Sequence, residues 1–368
     1  MNVAAVTWTA FKVPFRVPLR TAKGVLKHRE GLLIQIRTDA GLEGLGEASL
    51  HPFSSCAACL HGLAKILAAL APGLIGTKAE AWLQGPRVLP PSLAFGIETA
   101  LLDVLAQQKG ISIAGLLGGP KRNAVEVNAL IASESANGAA LEAKAAKEAG
   151  FGCVKLKVGA ASSLQEEKER VAAVREALGP WLKIRLDANG AWGVQEAILA
   201  IRSLERYGIE LIEQPVSASD LEGLKHVQKA VQTMIAADEA ITDVQSAARV
   251  IEIGAASVLV LKPMVLGGLR KALQVASLAQ KAGLEAYVTT TLDSSVGIAA
   301  ALQLACMLPQ GGPACGLATG GLLDSDIVVQ PPGVSAGTMA LLDLAGLGVK
   351  QDEHALFRHT LFNGHVGP

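Results

Sequence analysis

The chain has 368 residues, half of them hydrophobic, with 33 Lys+Arg balancing 33 Asp+Glu and charged residues at only 18%. Such a chain buries a large core, which excludes disorder, and zero net charge without a basic run gives nucleic acid no field to follow. No stretch reaches the roughly 20 apolar residues of a membrane span, and residues 1–50 lack the order of a secretory leader, so a cytoplasmic location is expected. Five cysteines, an odd number, fit a reducing compartment in which Cys acts as a small hydrophobe.

Residues 4–50 read as strands joined by turns. Residues 34–38 alternate apolar and polar, Asp39-Ala40-Gly41 supplies a turn, and residues 42–48 complete a hairpin signal. Apolar residues then recur at helical spacing over 56–70 and 92–108, the second run being stopped by Gly110 or Gly118-Gly119-Pro120. An α+β unit is expected here. Gly41, Gly44 and Gly46 lack the spacing of a dinucleotide loop and read as turn and close-packing positions. Cys56 and Cys59 form a C-x-x-C at the start of an apolar helix, and without a second pair they read as packing residues. His51 and His61, which flank them, read as structural.

From about residue 124 one phrase recurs: a β-rich run, a polar or glycine break, and an amphipathic helix. Runs over 125–131, 153–158, 184–187, 209–213, 234–238, 257–262, 285–289 and 314–319 are strand candidates, with helices over 139–149, 164–178, 194–207 and 244–253 among them. Strand-helix alternation implies a parallel sheet, and eight such units imply a closed (β/α)₈ barrel more than an open doubly wound sheet. No strand is followed by the G-x-G-x-x-G of a dinucleotide site. Residues 327–368 lack such a unit and are expected to pack on the N-terminal domain.

The strand ends carry the chemistry. Alternation puts Lys155 and Lys157 on one face, then Arg185, Asp187 and Asn189, while Glu213, Asp238 and Lys262 close the next three strands. Charge inside a strand is costly unless paired or metal-bound, and barrel active sites sit at the C-terminal strand ends. Asp187, Glu213 and Asp238 form an all-oxygen set suited to Mg²⁺, with Mn²⁺ next, and the absence of His or Cys at strand ends disfavours Zn²⁺. Lys157 and Lys262 would approach a substrate from opposite sides. As bases their pKa must fall to about 7–8, pushed by Lys155, by the cation and by burial. The set is a device for removing a proton next to a carboxylate. Asn189 could support the metal ligands, Glu239 points to the other face by parity, and Trp192 is expected to pack against the next helix.

These motifs resemble the enolase superfamily, in its muconate-lactonizing-enzyme subgroup. They are Val154-Lys155-Leu156-Lys157, Asp187-Ala188-Asn189-Gly190-Ala191-Trp192, Ile212-Glu213-Gln214-Pro215, Ala237-Asp238-Glu239 and Lys262-Pro263 followed by Gly267-Gly268. The resemblance implies a modified TIM barrel, (β/α)₇β, over residues 121–325, with an α+β capping domain built from 1–120 and a C-terminal segment, 326–368, packing on it. It implies metal ligands at Asp187, Glu213 and Asp238, acid/base lysines at Lys157 and Lys262, and an electrostatic neighbour at Lys155. No His ends strand seven, where 287–291 runs into Leu292-Asp293-Ser294-Ser295, which argues against the mandelate-racemase subgroup.

Pro18-Leu19-Arg20-Thr21-Ala22-Lys23-Gly24, Arg29-Glu30-Gly31, Gly46-Glu47-Ala48, residues 289–297 and Gly316-Leu317-Ala318-Thr319-Gly320 resemble o-succinylbenzoate synthases. Those enzymes dehydrate a cyclohexadiene carboxylate in menaquinone biosynthesis. The likeness implies α-proton removal by Lys157, an enediolate held by Mg²⁺, Lys262 stabilising it as hydroxide leaves, and substrate contacts at Arg20, Thr21, Asn189, Thr289, Asp293 and Ser294. N-succinylamino acid racemization, dipeptide epimerization and muconate-type lactonization are the alternatives. Dipeptide epimerases carry Asp-x-Asp on strand eight, where this chain has Ala318-Thr319-Gly320, with Asp324-Ser325-Asp326 apparently past the strand. The expected partner is a small-molecule carboxylate substrate, with no nucleic acid and no membrane; a homo-oligomer is left open.

Overall fold

The computed structural model describes every residue except 22–23, 51, 53–56 and 86–87. Three long antiparallel strands open it: β1 (Val3–Thr21), β2 (Gly24–Thr38) and β3 (Glu43–Ser49). The β2–β3 turn is the one expected, with Gly41 at φ +77° and its N–H donating to Thr38 O. One face of the sheet is covered by the Pro91–Lys109 helix, which starts with Pro in its first turn and stops at left-handed Gly110. Gly44 and Gly46 explain how close that helix comes. A Cβ on Gly44 would lie 2.1 Å from Ala100 O, and one on Gly46 only 1.8 Å from Gly96 O.

The barrel strands follow as β5 (Ala129–Ile131), β6 (Cys153–Lys157), β7 (Lys183–Asp187), β8 (Ile209–Glu213), β9 (Met234–Ala237), β10 (Val258–Leu261) and β11 (Glu285–Val288), after a short β4 (Ala124–Glu126). All seven are parallel neighbours in chain order. The eighth run, expected as a strand over 314–319, makes only single bridges. Gly316 pairs with Thr289 and Cys315 with Val127, which joins the two edges of the curled sheet. Buried on both sides, these strands must be apolar except where function intervenes.

Two expectations change. The run over 125–131 is split, because β4 leaves the barrel to pair with β13 (Thr338–Ala340), itself paired with β12 (Val334–Ser335). The C-terminal segment is also more regular than expected: a Glu353–His359 helix leads into β14 (Thr360–Val366), which adds to the edge of β1. Among the described residues, no helix is long and apolar enough to cross a membrane.

A polar seam joins the antiparallel sheet to the barrel. Arg29, on β2, reaches Thr291 Oγ1 at 3.3 Å and Asp293 Oδ1 at 3.2 Å, and also donates to Leu50 O. Glu47, on β3, accepts from Ser294 Oγ at 2.6 Å, Gly297 N at 3.0 Å and Ser49 Oγ at 2.6 Å. The Glu47 carboxylate therefore caps the Ser295–Met307 helix from another part of the chain, where the positive end of the helix dipole faces it. Burial, and next Asp293, push the Glu47 pKa up to about 7 against the pull of Arg29.

Candidate active site

The lumen opens at the C-terminal strand ends into a cavity of about 110 Å³. Lys155, Lys157, Asp187, Glu213 and Lys262 line it on one side, Thr289, Thr290, Gly316, Ala318 and Thr319 on the other, and Leu19, Leu26 and Pro52 cover it. Parallel register explains the convergence: Lys157 pairs with Asp187 and Asp187 with Glu213, so period-2 alternation points all three inward at one height. Asp238 follows β9 directly, and Lys262 follows β10.

The carboxylates of Asp187, Glu213 and Asp238 are 1%, 0% and 2% exposed, so none can stay ionised without a partner. Lysines supply the partners. Lys157 Nζ lies 2.6 Å from Asp187 Oδ2, Lys262 Nζ 2.5 Å from Asp238 Oδ2, and Lys155 Nζ bridges Glu213 at 3.0 Å and Asp187 at 3.2 Å. Burial would raise Asp187, but Lys157 and Lys155 outweigh it and hold the acid below its usual range. For Asp238 burial prevails over Lys262, and Glu213 adds to it, so that acid is raised.

The ammonium of Lys155 is committed to Glu213 and Asp187. Burial pulls Lys262 down, but Asp238 and Glu213 outweigh burial and raise it above the ordinary lysine value.

Among the described residues, no group of three His, Cys, Asp or Glu side chains stands arranged to hold a metal ion, because each carboxylate of the expected set faces an ammonium. The donor chemistry nevertheless fits a hard cation: three buried carboxylates end consecutive strands, with no nitrogen or sulfur ligand among them. The Glu213 charge helps to raise Asp238, a repulsion that a bound cation would relieve.

Two supporting residues, Gln214 and Tyr287, were not legible in the sequence. Gln214, fully buried with φ +40°, accepts from Asp238 N at 3.0 Å and Ala240 N at 3.2 Å and donates to Val216 O. It fixes the backbone that presents Asp238. Tyr287 donates to Glu213 Oε2 at 2.7 Å, and its ring is stacked by the Arg185 guanidinium. Asn189, at φ +47°, accepts from Lys157 Nζ at 2.8 Å and donates to Glu239 Oε1 at 3.0 Å. Glu239 thus lines the cavity instead of the outer face that parity implied, since β9 ends at Ala237 and alternation ends with it. Among the described residues, three of the four non-glycine residues with positive φ, namely Asn189, Gln214 and Leu292, lie at these strand ends.

The expected substrate contacts divide into three groups. Asn189 and Thr289 line the cavity. Asp293 and Ser294 do not: they are drawn into the seam by Arg29 and Glu47, two cap residues the motif reading did not pair with them. Arg20 and Thr21 sit opposite Val25 and Gly24 at the tip of the β1–β2 hairpin, with their side chains outside the described residues. His51 and Cys56 also lie outside the described residues. Cys59 is disulfide-bonded, which corrects its reading as a packing residue. Trp192 is buried and bridges Val216 by its backbone. Asp326 accepts from Ser295 Oγ at 2.6 Å.

Known proteins share this architecture and its parts. Residues 4–118 match the mandelate racemase / muconate lactonizing enzyme N-terminal domain, and residues 138–355 match the enolase C-terminal domain-like family. An o-succinylbenzoate synthase of Thermobifida fusca is 41% identical over 215 residues, covering 58% of this chain and 65% of that one. The muconate lactonizing enzyme of Pseudomonas fluorescens, solved with muconolactone, superposes with a TM-score of 0.91 at 29% identity, over 98% of this chain and 99% of that one. The dipeptide epimerase of Enterococcus faecalis V583, solved with Mg and the dipeptide L-Leu-L-Tyr, superposes with a TM-score of 0.88 at 30% identity, over 95% and 100%. The chain belongs to the enolase superfamily, in its muconate-lactonizing-enzyme subgroup.

Proposed function

We propose that this enzyme removes the proton α to a substrate carboxylate with the help of a divalent cation, and that its reaction is the syn-dehydration of a hydroxycyclohexadiene carboxylate to o-succinylbenzoate. The observation that carries the reading is the pair of lysines, Lys157 and Lys262, lining one cavity beside three buried carboxylates. Asp187, Glu213 and Asp238 would hold Mg²⁺. When bound, the cation would supply positive charge to the substrate carboxylate as negative charge develops on it. Lys157 Nζ takes the α-proton, Lys262 offers positive charge from the other side, the neighbouring C–O bond breaks, and the departing hydroxide with the abstracted proton amounts to one water. Leu19, Leu26 and Leu130 shield the ring from solvent.

The wall of strand eight supports dehydration over dipeptide epimerization. Its cavity-lining residues, Gly316, Ala318 and Thr319, offer no carboxylate to an ammonium group. Racemization of an N-acylated amino acid is the second reading. Bases on two sides are what proton removal and return on opposite faces require, and acylation abolishes the ammonium. The test is turnover of the hydroxycyclohexadiene carboxylate and of N-succinylamino acids with Mg²⁺ and after chelation. Metal-dependent loss of water supports the reading, and turnover of neither substrate overturns it.

A further inference from the structure

The cavity floor contains a polar atom that the proposed mechanism does not use. Asn128 precedes β5, is 5% exposed, and lines the cavity between Leu130 and Gly316. Its backbone N–H is spent on Cys315 O, and its side-chain Nδ2 finds Ala129 O at 3.4 Å. The side-chain Oδ1 has no hydrogen-bond partner. Leaving such an acceptor buried and unmatched is unfavourable.

The surrounding wall cannot satisfy it. Thr289 turns its hydroxyl to Thr290 O at 3.2 Å, and Lys155 is committed to Glu213 and Asp187. Gly316 leaves the approach open: a Cβ there would stand 3.7 Å from Asn128 Oδ1 and 2.8 Å from Thr289 Oγ1. An ammonium is a poor occupant, since a single neutral oxygen does not repay the desolvation of a charge.

Resting on the reaction class above, we propose that Asn128 is a specificity residue whose side-chain oxygen accepts a hydrogen bond from a neutral donor on the substrate, an O–H or an amide N–H. A site built around a buried hydrogen bond discriminates strongly against a ligand lacking the donor. The hydroxycyclohexadiene carboxylate carries such an O–H, and its dehydrated product does not; an N-succinylamino acid carries an N–H, and its N-methyl counterpart does not.

The experiment measures kcat/KM for both donor-bearing substrates, and Ki for the two donor-free ligands, in the wild type, Asn128→Leu and Asn128→Ala with Mg²⁺. Loss of about tenfold or more in kcat/KM for one substrate, with Ki of its donor-free counterpart changed less than about twofold, is expected and identifies whether the O–H or the N–H is read. The Ala variant only removes atoms and serves if the Leu variant fails to fold. Equal changes for donor-bearing and donor-free ligands, or none, overturn the inference while wild-type turnover leaves the reaction class standing. Turnover of neither substrate by the wild type overturns both.

Discussion

The ammonium of Lys157 lies 2.6 Å from Asp187 Oδ2, so a proposed base and a proposed metal ligand face each other directly. Lysine and cation would therefore compete for one carboxylate. Replacing Lys157 by Met removes the competitor, and Mg²⁺ should bind about tenfold more tightly by calorimetry. The metal-free variant should lose about 1–3 kcal/mol of stability, because buried Asp187 loses its nearer ion-pair partner and keeps Lys155 at 3.2 Å. Weaker Mg²⁺ binding in this variant would contradict the assignment of Asp187.

Gln214 holds the backbone of Asp238 by a single amide oxygen, shared with Ala240 N. Gln214→Leu keeps the bulk and removes the acceptor, leaving two buried N–H groups unmatched. Mg²⁺ affinity should fall about 10- to 100-fold with the fold retained. An unchanged affinity would show that Asp238 needs no such positioning.

Glu47 gives the seam a pH dependence. Its pKa, raised from 4.5 to about 7 by burial and by Asp293, means that the folded state favours the protonated acid. This contribution to stability is fully present below pH 4.5 and is lost as pH rises through about 7. Its size is on the order of 3 kcal/mol. Melting curves should show wild-type Tm declining across that window relative to Glu47→Gln, and parallel profiles would refute the seam's role.

Gly46 tests the approach of sheet and helix. A Cβ there meets Gly96 O at 1.8 Å, and backbone cannot swing aside as a side chain can. Gly46→Ala should cost roughly 3 kcal/mol in urea unfolding, whereas Gly41→Ala meets no neighbouring atom and is strained only by its φ of +77°.

The strand-end residues were legible because β-strand alternation and C-terminal position are properties of sequence order: Lys157, Asp187, Glu213 and Lys262 meet in one cavity. Asp293 and Ser294 were misplaced because their partners, Arg29 and Glu47, lie 264 and 247 residues away. No local pattern encodes that distance. Gln214 and Asn128 were missed for a different reason. Neutral amides carry no charge signal, and their roles arise from burial and from a left-handed turn, or from a neighbouring glycine, that only the packed chain reveals. Glu239 was misread because alternation holds only while the strand lasts.

The central claim is proton abstraction next to a carboxylate by Lys157. Solvent deuterium incorporation at the α-carbon of N-succinylamino acids, followed by NMR with Mg²⁺, tests it most directly. The wild type should exchange the proton. Lys157→Ala should slow the exchange by about 10²–10⁴-fold while keeping its fold and binding Mg²⁺ at least as tightly as the wild type. Exchange at the wild-type rate in Lys157→Ala would contradict the account.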